Sequence, residues 1–287
     1  MCIGNDVLNN IFNYLSIENT YNLKLLNNRI NNFIENEYVL INYYGGKINK
    51  SIITKHCTNL KMINIYSYIE DNLYDHDLVC LNKLELLILS VGRNITDEGL
   101  KYLPNIKVIK LRCNSNITND GLKNLAEFSP NISVLYLTCN LKITDEGLQY
   151  IPNIKKLNLL NNKNITDNGL KFVINIKMLN LTYNRNITNE GLKHIPKIEV
   201  LYLNCNPHIT NEGLKYILNV RILNLSSNKN ITDEGLKYIS NLTFENSKIE
   251  VLYINCNKNV ADNIQKNQKE LLPYIRELYL GNKVEII

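Results

Sequence analysis

At 287 residues and 45% hydrophobic, the chain is long enough to bury a sizeable core. Its 32 basic and 27 acidic residues leave a formal net charge of +5, too slight and too evenly spread along the sequence to favour a nucleic-acid partner. No apolar run nears membrane length, Met1–Asp6 lacks a signal-peptide pattern, and seven cysteines without a Cys-x-x-Cys pair favour reduced thiols. A cytoplasmic chain without membrane contact is therefore expected, with nuclear residence also open.

In chain order, the first signal is a pair of short amphipathic helices. Leu8, Ile11, Phe12 and Leu15 fall on one helical stripe, and Ser16 suits the N-cap of a second helix carrying Leu23, Leu26, Ile30 and Phe33. Two helices of this size have little core of their own and gain stability by docking on something. Either they cap the downstream part of the chain or they engage a partner. Residues 1–38 are read as this helical segment, 39–83 as a linker with a degenerate first repeat (Leu60, Ile63, Ile65), and 84–287 as the repeats proper.

From there the chain is periodic. A phrase of the form Ile-Thr-Asp-Glu-Gly-Leu starts at Ile95, Ile117, Ile143, Ile165, Ile187, Ile209 and Ile231, at spacings of 22, 26, 22, 22, 22 and 22 residues. A fixed period of this size predicts a solenoid. Ahead of each phrase stands L-x-x-L-x-L-x-x-N, beginning at Leu84, Ile106, Ile132, Ile154, Ile176, Ile198, Val220, Ile249 and Ile275. Its inner part alternates with period two, as in Leu201-Tyr202-Leu203, and predicts a short strand with one buried face. The Asn after the strand (Asn114, Asn140, Asn162, Asn184, Asn206, Asn228, Asn257) is expected inward, satisfying backbone groups at the turn and serving the next coil.

The second half of each unit predicts a short helix. Thr is a good N-cap, and Asp, Glu or Asn in the first turn suits the helix dipole, so the recurring Asp-Glu pair is read as dipole and solvation chemistry. Gly at the third helical position (Gly99, Gly121, Gly147, Gly169, Gly191, Gly213, Gly235) suggests that backbone of the adjacent coil approaches too closely for a Cβ. Pro104, Pro152 and Pro196 end the helix before the next strand. Two insertions, around Ala126–Ser129 and over Leu242–Lys248, are close to one and two helical turns and predict longer helices or loops rather than domain breaks.

L-x-x-L-x-L-x-x-N followed by I-T-D-x-G-L resembles a leucine-rich repeat, close to the cysteine-containing type of F-box proteins. In that type Cys usually stands where this chain has Asn; here Cys113, Cys139, Cys205 and Cys256 sit one position earlier. The N-terminal segment in turn resembles an F-box. It aligns through Val7-Leu8, Ile11-Phe12, Tyr14-Leu15, Leu23, Leu25-Leu26, Arg29 and Ile30, with Gly4, Asp6, Leu26 and Ile30 departing from the usual residues. The resemblance implies an α/β leucine-rich-repeat solenoid, with a parallel sheet on the concave face, short helices outside and a small helical F-box-like N-terminus. It further implies docking on a Skp-family adaptor through Ile3, Leu8, Ile11, Phe12, Leu15, Leu26 and Ile30, hence a link to a cullin complex and ubiquitin transfer.

On that reading the chain performs no chemistry and needs no cofactor or metal; it selects a protein substrate and brings it near a charged enzyme. It would be a monomer outside the complex. The alternatives are a repeat scaffold with no ubiquitin link, or a decoy that occupies the adaptor. His56, His76, His194 and His208 are scattered, and no phosphate loop, Ser-His-Asp order or metal-ligand spacing appears. Partner binding is expected on the concave sheet. There Arg112, Tyr136, Tyr202, Tyr253 and Tyr279 are the candidate contacts, because Tyr and Arg dominate interface hot spots.

Overall fold

The computed structural model describes residues 39–44, 60–66, 73–89, 93–240, 249–255, 260, 275–280 and 283–286. The F-box-like segment, Ser90, Cys256, Asn257 and the insertion over 242–248 lie outside these residues.

The strands form a 12-stranded sheet whose spatial order is the sequence order, β1 to β12. They are Val39–Tyr44 (β1), Leu60–Tyr66 (β2), Leu86–Leu89 (β3), Val108–Leu111 (β4), Val134–Tyr136 (β5) and Lys156–Asn158 (β6). Met178–Asn180 (β7), Val200–Tyr202 (β8), Ile222–Asn224 (β9), Val251–Tyr253 (β10), Glu277–Leu280 (β11) and Lys283–Ile286 (β12) complete it. Neighbours are parallel up to β11, and β12 returns antiparallel to it. β2 falls on the degenerate coil expected from Leu60; β1 pairs with it and starts the sheet one strand earlier than the repeat pattern is legible.

Each coil closes on itself through one set of aliphatic residues. In the coil that begins at Ile176, the side chains of Ile176, Leu179, Leu181, Ile187, Leu192 and Ile195 are all fully buried. Burying each contributes about 1.5–3 kcal/mol relative to exposure, but only because a coil on either side completes the enclosure. Short helices return the chain on the other side of this core: Asp145–Leu148, Asp167–Leu170, Asn189–Leu192 and Asn211–Leu214. The coil with the Ala126–Ser129 insertion instead carries the helix Asn119–Phe128 of 10 residues, so the extra turn lengthens the helix, as its size predicts.

Past β4 to β9 the backbone turns through a left-handed residue: Cys113, Cys139, Asn161, Tyr183, Cys205 and Ser227 have φ between 52° and 62°. The turn keeps the parallel ladder alive, for Cys139 N–H donates to Leu160 C=O at 2.9 Å and Tyr183 N–H to Asn204 C=O at 3.0 Å. The cysteines here are exposed or half-exposed and take no place in the core. The next residue, the ladder Asn, is fully buried at Asn114, Asn140, Asn162, Asn184, Asn206 and Asn228. Asn140, Asn184 and Asn228 each accept the backbone N–H of the preceding coil's Asn, at 2.8, 2.8 and 2.7 Å, and Asn228 Nδ2 donates to Leu203 C=O at 2.7 Å, so these bonds reach back to the preceding coil rather than forward to the next as expected.

A second ladder holds the helix side, and it revises two expectations. The residue after each Thr does more than suit the dipole and the solvent; it clamps the following coil. Asp167 accepts both the N–H and the hydroxyl of Thr188, at 2.8 and 2.6 Å, and Asp145 does the same for Thr166. Where the residue is Asn, its Oδ1 accepts the next Thr N–H while its Nδ2 donates to the hydroxyl, as from Asn189 to Thr210. The exchange also decides the capping. Thr188 and Thr166, clamped by Asp, accept an N–H of their own helix, whereas Thr144 and Thr210, clamped by Asn, make no side-chain cap bond. A hydroxyl that gives its hydrogen to a carboxylate keeps a lone pair for its helix; one that accepts an amide hydrogen has turned that lone pair away.

The same clamp explains the glycines. A Cβ at Gly191 would collide with Asp167 Oδ1, and one at Gly213 with Asn189 Oδ1. The close neighbour is thus a side chain of the preceding coil, not its backbone. Asn side chains on the surface add a third series: Asn164, Asn186 and Asn230 donate to carbonyls of Leu141, Lys163 and Pro207 at 2.6, 2.6 and 2.7 Å.

Candidate functional site: the concave sheet face

Because side chains alternate along a strand, the residue between the two buried leucines stands on the open face. In register across the sheet these residues are Ile88, Lys110, Tyr136, Asn158, Asn180, Tyr202, Asn224, Tyr253 and Tyr279. The column is not uniform in what it offers. Asn158, Asn180 and Asn224 each turn Oδ1 back to accept the N–H two residues ahead, at 2.9, 2.9 and 3.0 Å, which spends them on the turn. Ile88 is buried. What remains to meet a partner is Lys110 and the four tyrosines.

All four predicted tyrosines are half-buried on this face, and Arg112 stands exposed just past β4. The structure brings some of them together. Tyr253 and Tyr279 stack with ring centroids 4.2 Å apart and planes 19° from parallel. Tyr279 donates its hydroxyl to Glu277 at 2.9 Å; that bond first, and burial second, push its phenol up to about 12. Tyr136 lies under Lys110, whose Nζ is 4.6 Å from the ring centroid. Tyr202 stands between Asn180 and Asn224 in the register, so it is an isolated aromatic.

Electrostatics reinforces this picture. Burial lowers the Lys110 ammonium below its ordinary value and raises the phenols of Tyr136 and Tyr202. From β3 to β10 no carboxylate appears among the described outward residues of the strands, and Glu277 on β11 is the first. The face is aromatic and mildly cationic, with half-dehydrated groups ready to be covered. The adaptor-binding candidates Ile3, Leu8, Ile11, Phe12, Leu15, Leu26 and Ile30 fall outside the described residues.

Among the described residues His76, His194 and His208 are not brought together, and His56 lies outside them. His76 is exposed beside Asp77, while His194 and His208 occupy different positions of adjacent coils. Among the described residues no group of three or more His, Cys, Asp or Glu side chains is placed to hold a metal ion, and no helix is long and apolar enough to cross a membrane.

Comparison with known proteins agrees with the coil geometry. The leucine-rich-repeat family profile matches residues 102–126, 128–151, 174–195, 194–218 and 218–240. Over these residues the solenoid is built of leucine-rich repeats. Among solved structures, an internalin from Listeria monocytogenes superposes with a TM-score of 0.51 at 20% identity, covering 78% of this chain and 68% of the internalin. At that identity the likeness is one of fold. In all, 346 solved chains match, so the architecture is widely shared and does not by itself select a function. No curated protein matches the chain in sequence.

Two features of the site escaped sequence reasoning. The Asn residues of the outward column look like any exposed polar residue until their turn bonds are seen. Lys110 gains its interest from half-burial over Tyr136 without a carboxylate on its face, which a strand pattern does not reveal.

Proposed function

We propose that this chain is a non-catalytic, cytoplasmic protein-binding scaffold whose concave sheet face seats a folded protein partner. The observation that carries the reading is the row of half-buried tyrosines and Lys110 on that face, aromatic groups already part-dehydrated and fixed on rigid strands. Neighbouring strands lie about 4.8 Å apart, so the row from β4 to β11 spans roughly 30 Å, enough for a small folded domain. Purified partner, once captured, tests the face directly. A Tyr136→Ala/Tyr202→Ala chain should bind it at least ten-fold more weakly with unchanged unfolding; unchanged affinity would remove the concave face from consideration.

The finer reading makes the scaffold the substrate receptor of a cullin-type ubiquitin ligase, with residues 1–38 docked on a Skp-family adaptor. What supports it is the F-box-like spacing of Leu8, Ile11, Phe12, Leu15 and Leu26, and the I-T-D-x-G-L phrase similar to the repeats of F-box proteins. A pull-down of purified adaptor separates the options. Binding by the full chain, lost on Leu8→Asp/Phe12→Asp and in a chain starting at Tyr38, is the expected result. No binding by the full chain leaves the scaffold without this link, and binding without delivery of a substrate makes it a decoy.

A further inference from the structure

The edge of the solenoid formed by the strand-to-helix turns differs in charge from the helix side and from the opposite turns. In each coil this edge runs from the end of the strand to the Thr that starts the helix. The turns at 112–118, 137–144, 159–166, 181–188, 203–210 and 225–232 contain no Asp or Glu. They do contain Arg112, Lys142, Lys163, Arg185 and Lys229, the last three at one and the same position of their coils, directly after the buried Asn. On the helix side and on the opposite turns, seven cations are matched. Lys101, Lys193, Lys215 and Lys237 pair with the Glu three residues before, and Lys107, Lys177 and Arg221 pair with Glu on a neighbouring coil. Lys163 and Arg185 form no ion pair among the described residues, although their coils are adjacent and like charges repel.

Between these two cations lies a cleft of about 420 Å³ lined by Asn161, Lys163, Tyr183, Arg185 and Asn186. Its walls are fixed. Asn186 Nδ2 donates to Lys163 C=O at 2.6 Å, and Asn161 Nδ2 to Cys139 Sγ at 3.5 Å. Its aromatic wall is unusual. The left-handed turn position is held by Cys, Asn or Ser in the other described coils, but by Tyr183 here, at φ 62° and 49% exposed. A bulky side chain is disfavoured in that region, and such backbone outliers gather at binding sites.

We propose that this edge, centred on the Lys163–Tyr183–Arg185 cleft, is a docking strip for an acidic segment of a protein partner, its carboxylates pairing with Lys163 and Arg185 while Tyr183 covers the intervening chain. The strip rests on the scaffold reading only in that the partner is a protein. In an extended segment alternate side chains lie about 6.6 Å apart, and adjacent coils about 4.8 Å apart, so flexible Lys and Arg stems reach successive carboxylates. Carboxylates also remove the repulsion along the cationic row. A single-stranded nucleic acid is less well served, because Tyr183 is the one Tyr, Phe or Trp among the described turns and offers no row of stacking platforms.

The test uses the full chain and three labelled probes in fluorescence anisotropy: a decapeptide of alternating Glu and Ser, its Gln–Ser counterpart, and a ten-nucleotide oligothymidylate. The Glu peptide should bind and weaken as salt rises past the point where the Debye length falls below about 10 Å. Lys163→Ser/Arg185→Ser should weaken it ten-fold or more with an unchanged unfolding midpoint, Tyr183→Ala several-fold, and Lys215→Ser on the helix side not at all. Equal binding of the Gln peptide, no binding of the Glu peptide, or tighter binding of the oligonucleotide each overturns the proposal. Loss of peptide binding in Tyr136→Ala/Tyr202→Ala, with none in Lys163→Ser/Arg185→Ser, would also overturn it while sparing the concave-face reading.

Discussion

Replacing Gly191 by Ala separates the inter-coil clamp from ordinary helix propensity, because the two predict opposite signs. Gly191 is at the third position of the helix Asn189–Leu192 and its backbone is helical, so propensity alone favours Ala by about 1 kcal/mol. The structure opposes this. The new Cβ would collide with Asp167 Oδ1 and lie 3.1 Å from Leu170 Cδ1. Leu170, fully buried, would have to shift by a few tenths of an ångström, and Asp167 is held by Thr188 through two bonds of 2.8 and 2.6 Å. Hydrogen bonds to a charged group contribute about 1.5–3 kcal/mol each; water at the half-buried carboxylate reduces the loss, so the net destabilisation should be about 1–3 kcal/mol. Urea unfolding of Gly191→Ala, Asp167→Ala and the double variant forms a cycle. With Asp167 shortened, Gly191→Ala should become neutral or stabilising. A stabilised single variant, together with a coupling near zero, would refute the clamp.

Other predictions address the core, the Asn ladder and one phenol. Leu201→Ala removes a fully buried strand residue and should cost about 2–5 kcal/mol in chemical denaturation, whereas a change near zero would undo the strand register. Asn184→Ala strips the acceptor from Asn162 N–H, a 2.8 Å bond in the core, and should cost about 1–3 kcal/mol; an unchanged midpoint would show that the ladder is ornamental. Tyr279, whose phenol is pushed up to about 12, favours the folded state in its neutral form. That contribution is complete below the ordinary phenol value near pH ~10 and fades as pH rises through about 12. Phenolate absorbance should show a late-titrating tyrosine that disappears in Tyr279→Phe and moves to lower pH in Glu277→Gln; an early, unchanged titration would contradict the Glu277 bond.

The parts of this fold that could be read from sequence are those repeated along one chain. Leu87, Ile109, Leu135, Leu157, Leu179, Leu201 and Leu223 are buried because period two and a 22-residue repeat specify both the face and the partner strand. What could not be read depends on which residue of one coil meets which residue of the next. Gly191 and Asp167 are each conspicuous in the sequence, yet their contact follows only from the offset between coils, and it turns a carboxylate expected to face solvent into a clamp. The bonds that commit Asn158, Asn180 and Asn224 to their turns leave no mark in the repeat pattern. The cationic edge was hidden by the modest net charge: many of the carboxylates that balance Lys and Arg in the total lie on the helices and on the opposite turns, where they clamp Thr or pair with other lysines.

A protein partner seated on the concave face should be reachable from that face and not from the helix side. Photo-crosslinking tests it most directly, with benzoylphenylalanine placed one site at a time at Tyr136, Tyr202 and Tyr253, and at Phe172 on the helix side as the comparison. One and the same partner should be captured from the three strand positions and be absent from Phe172. Capture from Phe172 alone, or at equal strength from both faces, would contradict it.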